Sequence, residues 1–212
     1  MSAYLPMPFD LWIAFAAASF NIPVIPGPTI LLVISYALTQ GRRVAVATAL
    51  GVALGDFIAV SLSLAGLGAI LLTSAWAFTA LKWIGAGYLV FLEIRLLRST
   101  PHLSDVTAPE PTPVKRIFAH SALITALNPK GNIFIIAFVP QFLSADLPVM
   151  PQFLAMLVTF VGFGAVNALA YALLADQLGQ RIRSPKVLIW VNRTGGAALI
   201  AMGALTATLK RN

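Results

Sequence analysis

Six apolar runs in one chain leave few folds open. Residues 11–38, 44–72, 75–97, 117–143, 153–174 and 187–209 are each long enough to cross a bilayer, for which a helix needs about 20 apolar residues. In hydrocarbon every backbone polar group must be satisfied internally, so runs of this length and continuity are expected as helices. Composition agrees: the 212 residues are 59% hydrophobic and 10% charged, against about a quarter charged in a soluble domain. The chain reads as an all-α integral membrane protein with no large soluble domain. Before the run at Leu11 there is no basic segment, and the run outlasts a signal peptide, so the first span is expected to be retained.

Two of the runs are broken. Asn21-Ile-Pro-Val-Ile-Pro-Gly-Pro-Thr29 places three prolines and a glycine inside the first. Asn128-Pro-Lys-Gly131 interrupts the fourth. Each proline removes a backbone N–H and clashes with the preceding turn, so neither run is expected to be one continuous helix. Freed backbone groups at membrane depth are tolerated where protein buries them or where they line a watery cavity. A lone intramembrane proline is adequately read as a kink. Two breaks in corresponding positions, the second holding a lysine, point instead to a binding site built on discontinuous helices.

The net charge of +7 sits in short loops, which argues against a nucleic-acid partner. Loops after the first, third and fifth runs hold Arg42 and Arg43; Arg95, Arg98, Lys115 and Arg116; and Arg181, Arg183 and Lys186. The N-terminal tail and the loops after the second and fourth runs hold no Lys or Arg, and only Lys210 and Arg211 dissent. The positive-inside rule then places both termini outside the cytoplasm. Residues 99–113, polar and proline-rich, read as part of a cytoplasmic linker, which divides the chain into a first three-helix repeat (1–98), the linker (99–116) and a second three-helix repeat (117–212). Three is odd, so the halves enter from opposite sides. Weak internal echoes favour such a 3+3 inverted repeat: Gly51 with Asp56 five residues on matches Gly162 with Asn167, and Lys82-Trp-Ile-Gly-Ala-Gly87 resembles Asn192-Arg-Thr-Gly-Gly196.

Depth brings the chemistry-bearing residues together. Asp56 lies a dozen or so residues from the basic turn at Arg42 and Arg43, or roughly 18 Å deep at about 1.5 Å per residue. Lys130 lies similarly far from Lys115 and Arg116 on the same side. Both therefore fall near the midplane of a layer about 30 Å thick, level with the Pro26-Gly27-Pro28 break. A charge at that depth costs at least ~2.5–3.5 kcal/mol and should face a partner or a cavity. Two readings stand: a structural Asp56–Lys130 ion pair, or a site where Asp56 handles an ammonium or proton and Lys130 a carboxylate. The half-helix beginning near Pro28 adds the positive end of its dipole. Thr29, Asn21, Asn128, Asn132 and, on the fifth run, Asn167 can supply neutral hydrogen bonds, although such groups also serve as helix glue. The expected path is thus Asn21, Pro26, Gly27, Pro28, Thr29, Asp56, Asn128, Pro129, Lys130 and Asn167.

Other chemistry is poorly supported. There is no cysteine, and His102 and His120 have no ligand set around them, so neither a metal nor a cofactor is expected. No phosphate-binding glycine loop or nucleophile elbow is present, and the chain does not read as an enzyme. Lys82 and Arg193 lie near span ends, where long side chains snorkel. Gly51-x-x-x-Gly55 permits close helix approach, either within one protomer or at the seam of a homo-oligomer.

In combination and order, several motifs resemble those of the LysE/RhtB family of bacterial amino-acid exporters. They are Pro26-Gly-Pro28, Gly41-Arg-Arg43, Gly51-x-x-x-Gly55-Asp56, Gly85-x-x-Tyr88-Leu89, Asn128-Pro-Lys130 and Phe134-x-x-x-Phe138-x-Pro140-Gln-Phe142. The resemblance covers residues 15–209 and implies six helices in the bacterial inner membrane. It also implies proton-coupled export of an amino acid or related metabolite, with both breaks lining the path. Thr29 stands where the family often has Asp or Asn, and Glu93 where glycine is common. Both departures bear on substrate choice rather than on membership. The rival readings are an uncoupled channel or facilitator for a small solute or ion, and a non-transporting structural subunit of the membrane.

Overall fold

The computed structural model describes residues 6–24, 27–74, 112–144 and 146–182, with isolated helical positions at 76, 80, 83, 84, 87 and 91. Pro26, most of the third run with Lys82 and Glu93, the 99–111 segment, and the sixth run with Arg193 lie outside the described residues. Among the described residues every regular element is helical: α1 (Phe9–Val24), α2 (Pro28–Gln40), a 3-10 turn (Gly41–Val44), α3 (Ala45–Thr73), α4 (Val114–Ala126), α5 (Pro129–Phe142) and α6 (Val149–Ile182). The stretches Pro28–Ile70 and Val149–Ala175 are apolar and long enough to cross a membrane, and α4 with α5 makes a third such stretch, bent by 45° at its break. The 16 residues of α1 reach only roughly 24 Å, short of a hydrocarbon layer of about 30 Å.

Both breaks fall where the prolines predict, and each starts a new helix. Pro28 and Pro129 occupy first-turn positions of α2 and α5, where a missing N–H costs nothing and the fixed φ suits the helix. Gly41 ends α2 at φ 70° and ψ −168°, a region open essentially to glycine alone. That turn leaves Arg42 and Arg43 exposed and reverses the chain, so that α2 and α3 both pass Thr125, at Thr29 and at Gly55.

Large apolar side chains cover the outer faces. On α3, Val46, Leu50, Leu54, Ile58 and Leu62 recur every four residues and are exposed, and on α6 Met150, Leu154 and Val158 do the same, with Val166 exposed eight residues further on. Water would penalise so wide an apolar surface, whereas lipid tails accept it. Inside, α3 packs on α4 through small residues. A Cβ at Gly51 would meet the Phe118 carbonyl at 2.5 Å and one at Gly55 the Ala122 carbonyl at 2.5 Å. The facing residues Ser121 and Thr125 are also small, so the glycine motif works here within the protomer.

One stripe of α6 fastens α1 along its length. Thr159 accepts from the Trp12 indole (3.1 Å), and Phe163 meets Phe20 edge-on (5.7 Å). Asn167 Nδ2 donates to the Pro23 carbonyl (2.7 Å), and the Tyr171 hydroxyl donates to the Val24 carbonyl (2.9 Å). These last two occupy carbonyls at the end of α1 that the broken helix leaves without a backbone partner. At the turn between α5 and α6, Gln152 is fully buried. It accepts from the Ser144 N–H (2.8 Å) and donates to the Ser144, Leu147 and Pro148 carbonyls at 3.1, 3.1 and 3.2 Å.

The two largest apolar clusters among the described residues differ in character. One is aromatic, with Phe15, Phe134, Phe138, Phe142 and Phe160; Phe134 and Phe138 stack at 4.7 Å, and Phe142 meets Phe15 edge-on at 5.6 Å. The other is built mostly of small residues of α2, α3 and α6: Val33, Ala37, Ala45, Ala49, Val52, Ala168, Ala172 and Ala175.

Candidate functional site

The two breaks meet. Thr29, in the first turn of α2, is buried, and its hydroxyl accepts from Asn128 Nδ2 at 3.1 Å, with the Thr125 hydroxyl at 3.4 Å. Asn128 caps α5 as well, its Oδ1 accepting from the Lys130 N–H at 3.1 Å. One asparagine therefore starts a helix with its oxygen and joins the breaks with its nitrogen. Asn132 Nδ2 donates to the Ala126 carbonyl at 3.1 Å, taking up an acceptor that the break frees on α4.

A cavity of about 50 Å³ lies at this junction. Its polar wall comprises Thr29, Asp56, Thr125, Asn128 and Lys130, and its apolar wall Ile22, Ile30, Val52 and Phe160, with Pro23, Gly27, Gly131 and Gly164 completing the lining. Ile22 and Phe160 belong to the aromatic cluster and Val52 to the small-residue cluster, so the cavity sits where the two cores abut. At about 10–15 Å³ per water it admits a few waters. An amino acid needs the walls to part.

The charged groups come from different helices, Asp56 from α3 and Lys130 from α5. The Lys130 stem passes over Gly27, where a Cβ would lie 3.9 Å from Lys130 Cδ. Asp56 follows Gly55, which is seated on α4, and its carboxylate abuts the bare backbone of α6 at Gly164. A carboxylate, an ammonium, two hydroxyls and an amide thus line one small space. This set matches a small zwitterion, whose two charges each need an opposite partner out of water.

Not every expected residue lines that space. Gly27, Thr29, Asp56, Asn128 and Lys130 do. Pro28 and Pro129 start the helices that frame it. Asn21 Nδ2 instead donates to the Ala17 carbonyl one turn back on its own helix (2.8 Å), and Asn167 serves the end of α1. Neither belongs to the lining. Pro26 lies outside the described residues.

Residues 20–209 match the family described as LysE type translocator, which is nearly the whole chain. The chain belongs to the LysE family of translocators. Among its relatives is a Vibrio cholerae serotype O1 protein named as an uncharacterized membrane protein. It is 33% identical over 204 residues, spanning 96% of this chain and 100% of the relative. A homoserine/homoserine lactone efflux protein of Salmonella typhimurium is 30% identical over 204 residues, covering 96% of this chain and 99% of its own length. One of the same name from Salmonella typhi is 29% identical with the same coverage. No solved structure matches the chain.

Within this LysE translocator, sequence reasoning missed Thr125, Phe160 and Gly164 of the lining and Tyr171 beside it. The signal for Thr125 was available: it stands four residues after Ser121 and faces Gly55. The other three carry no local signature, since an aromatic or a glycine in an apolar helix is ordinary.

Proposed function

We propose that this translocator is a secondary exporter carrying a small amino acid or close metabolite out of the bacterial cytoplasm, coupled to protons, through the cavity where the two breaks meet. The observation that carries this reading is the joint presence of Asp56 and Lys130 in the lining. Asp56 takes the substrate ammonium or the coupling proton, and Lys130 takes the carboxylate. Thr29, Thr125 and Asn128 offer hydrogen bonds to a polar side chain. Homoserine and its lactone, named for two relatives, are the first substrates to try.

In this reading the protein crosses the inner membrane six times as two inverted three-helix repeats (1–98 and 117–212) joined by a cytoplasmic linker, with both termini periplasmic. The contacts of the two echoed residues support the repeat. Asn167, on the second run of the second half, reaches the break of the first, and Asp56, its counterpart, lines a cavity with the break of the second. Alternating access then consists of the halves rocking about the junction of Thr29 and Asn128.

The test is efflux from bacterial cells loaded with dipeptides, comparing overexpression with an empty vector, with and without a proton uncoupler. Release of homoserine or another small amino acid that the uncoupler suppresses is the expected result. Release indifferent to the uncoupler would identify a facilitator, and an unchanged profile would remove the amino-acid assignment.

A further inference from the structure

We propose that Gly164 is a positioning residue whose missing side chain sets where the Asp56 carboxylate stands in the cavity. The inference rests on the reading of Asp56 given above. A Cβ built at position 164 would overlap Asp56 Oδ2, lie 3.3 Å from Asp56 Cγ and come within 3.9 Å of Val52 Cγ1. Backbone conformation does not require the glycine, because among the described residues only Gly41 has a positive φ. A helix-interior glycine is also less favourable than alanine. What it provides is room.

That room cannot be regained by turning α3. Asp56 follows Gly55, where a Cβ would meet the Ala122 carbonyl at 2.5 Å and Thr125 Cβ at 2.6 Å, so α3 is seated closely on α4. With α3 seated on α4, the Asp56 side chain is the part that must give way to a group at 164. A methyl group at 164 therefore acts on the side chain, forcing the carboxylate off α6 and changing its position relative to Lys130 and the hydroxyls. Gly162, two residues earlier on the same helix, is exposed, and among the described residues a Cβ there meets nothing within 4 Å.

The experiment is a double-mutant cycle on the full-length protein reconstituted in proteoliposomes. It uses Gly164→Ala, Asp56→Ala, both together, Asp56→Asn, and Gly162→Ala as control, with homoserine as the probe. Gly164→Ala is expected to raise the KM for export by about tenfold or more, as misplacement of a contact group does, and to move the pH profile, with Gly162→Ala unchanged in both. Melting in detergent reads the contact separately: Gly164→Ala is expected to lower the midpoint in the parent but not in Asp56→Ala, where the overlapping oxygen is gone. If Gly164→Ala is not recovered as folded protein, Asp56→Ala is expected to restore its recovery. A wild-type KM and pH profile in Gly164→Ala, or a melting or recovery defect that persists in Asp56→Ala, overturns the inference. Full export by Asp56→Asn would remove the role assigned to Asp56 instead, and the melting cycle would still decide whether the two positions are coupled.

Discussion

Lys130 is the cation of the cavity, and its stem runs past Gly27. Replacing Lys130 by methionine keeps most of the apolar stem and removes the charge. A charge-assisted hydrogen bond contributes about 1.5–3 kcal/mol, so the KM for a zwitterionic substrate should rise by about tenfold or more, measured by counterflow into proteoliposomes. An unchanged KM would place the substrate carboxylate elsewhere. Thr29 poses a different problem, because its hydroxyl accepts from both Asn128 and Thr125. Thr29→Val keeps the shape and removes that acceptor, so it should slow turnover more than it weakens binding, a split that initial rates across substrate concentration would reveal. Asp56 and Lys130 were legible in the sequence because a charge inside an apolar run needs a partner or a cavity, and Asn128 because it precedes the proline that starts α5. Asn21 and Asn167 were equally visible, yet their side chains serve helix backbone, at Ala17 and Pro23. Type and depth are readable from a chain; the direction in which a side chain leaves its helix depends on neighbours distant in sequence.

Among the helices, the α3–α4 contact and the α1–α6 stripe set the frame of the cavity. Gly55→Ala would push a methyl group into the Ala122 carbonyl and Thr125. Overpacking of this kind costs about 1–3 kcal/mol, so a lower melting midpoint in detergent is expected, and a midpoint at or above the parent's would show that the helices can separate freely. Tyr171→Phe removes the donor to the Val24 carbonyl and should cost about 1 kcal/mol by the same assay. Gln152→Leu, which strips four hydrogen bonds from the α5–α6 turn, should cost more than Tyr171→Phe does. For the runs that the structure describes, helix positions followed from apolar length and proline. The run read as 44–72 is α3 at Ala45–Thr73, and the fourth run divides at Asn128 as its proline predicts. The helix extends past the fifth apolar run at both ends: α6 spans Val149 to Ile182, and beyond Leu174 polar residues continue it. Pairing of helices was legible only through Gly51-x-x-x-Gly55, and even there the sequence left the partner open. The stripe at Thr159, Phe163, Asn167 and Tyr171 mixes polar and aromatic types, so its period of four does not stand out against an apolar background.

For the whole molecule, the cavity lies at the seam between an aromatic core and a core of small residues, with the two breaks joined across it. At about 50 Å³ the cavity admits a few waters, so on the proposed reading the entry of an amino acid requires the surrounding helices to move apart. The central claim is that Asp56 carries the positive charge, ammonium or proton, on which gradient-driven export depends. The most direct measurement is homoserine export against its gradient in proteoliposomes with an imposed proton gradient, comparing the parent with Asp56→Asn after both elute as folded, monodisperse protein. The account predicts accumulation by the parent and none above empty liposomes for Asp56→Asn; accumulation by Asp56→Asn equal to the parent's would contradict it.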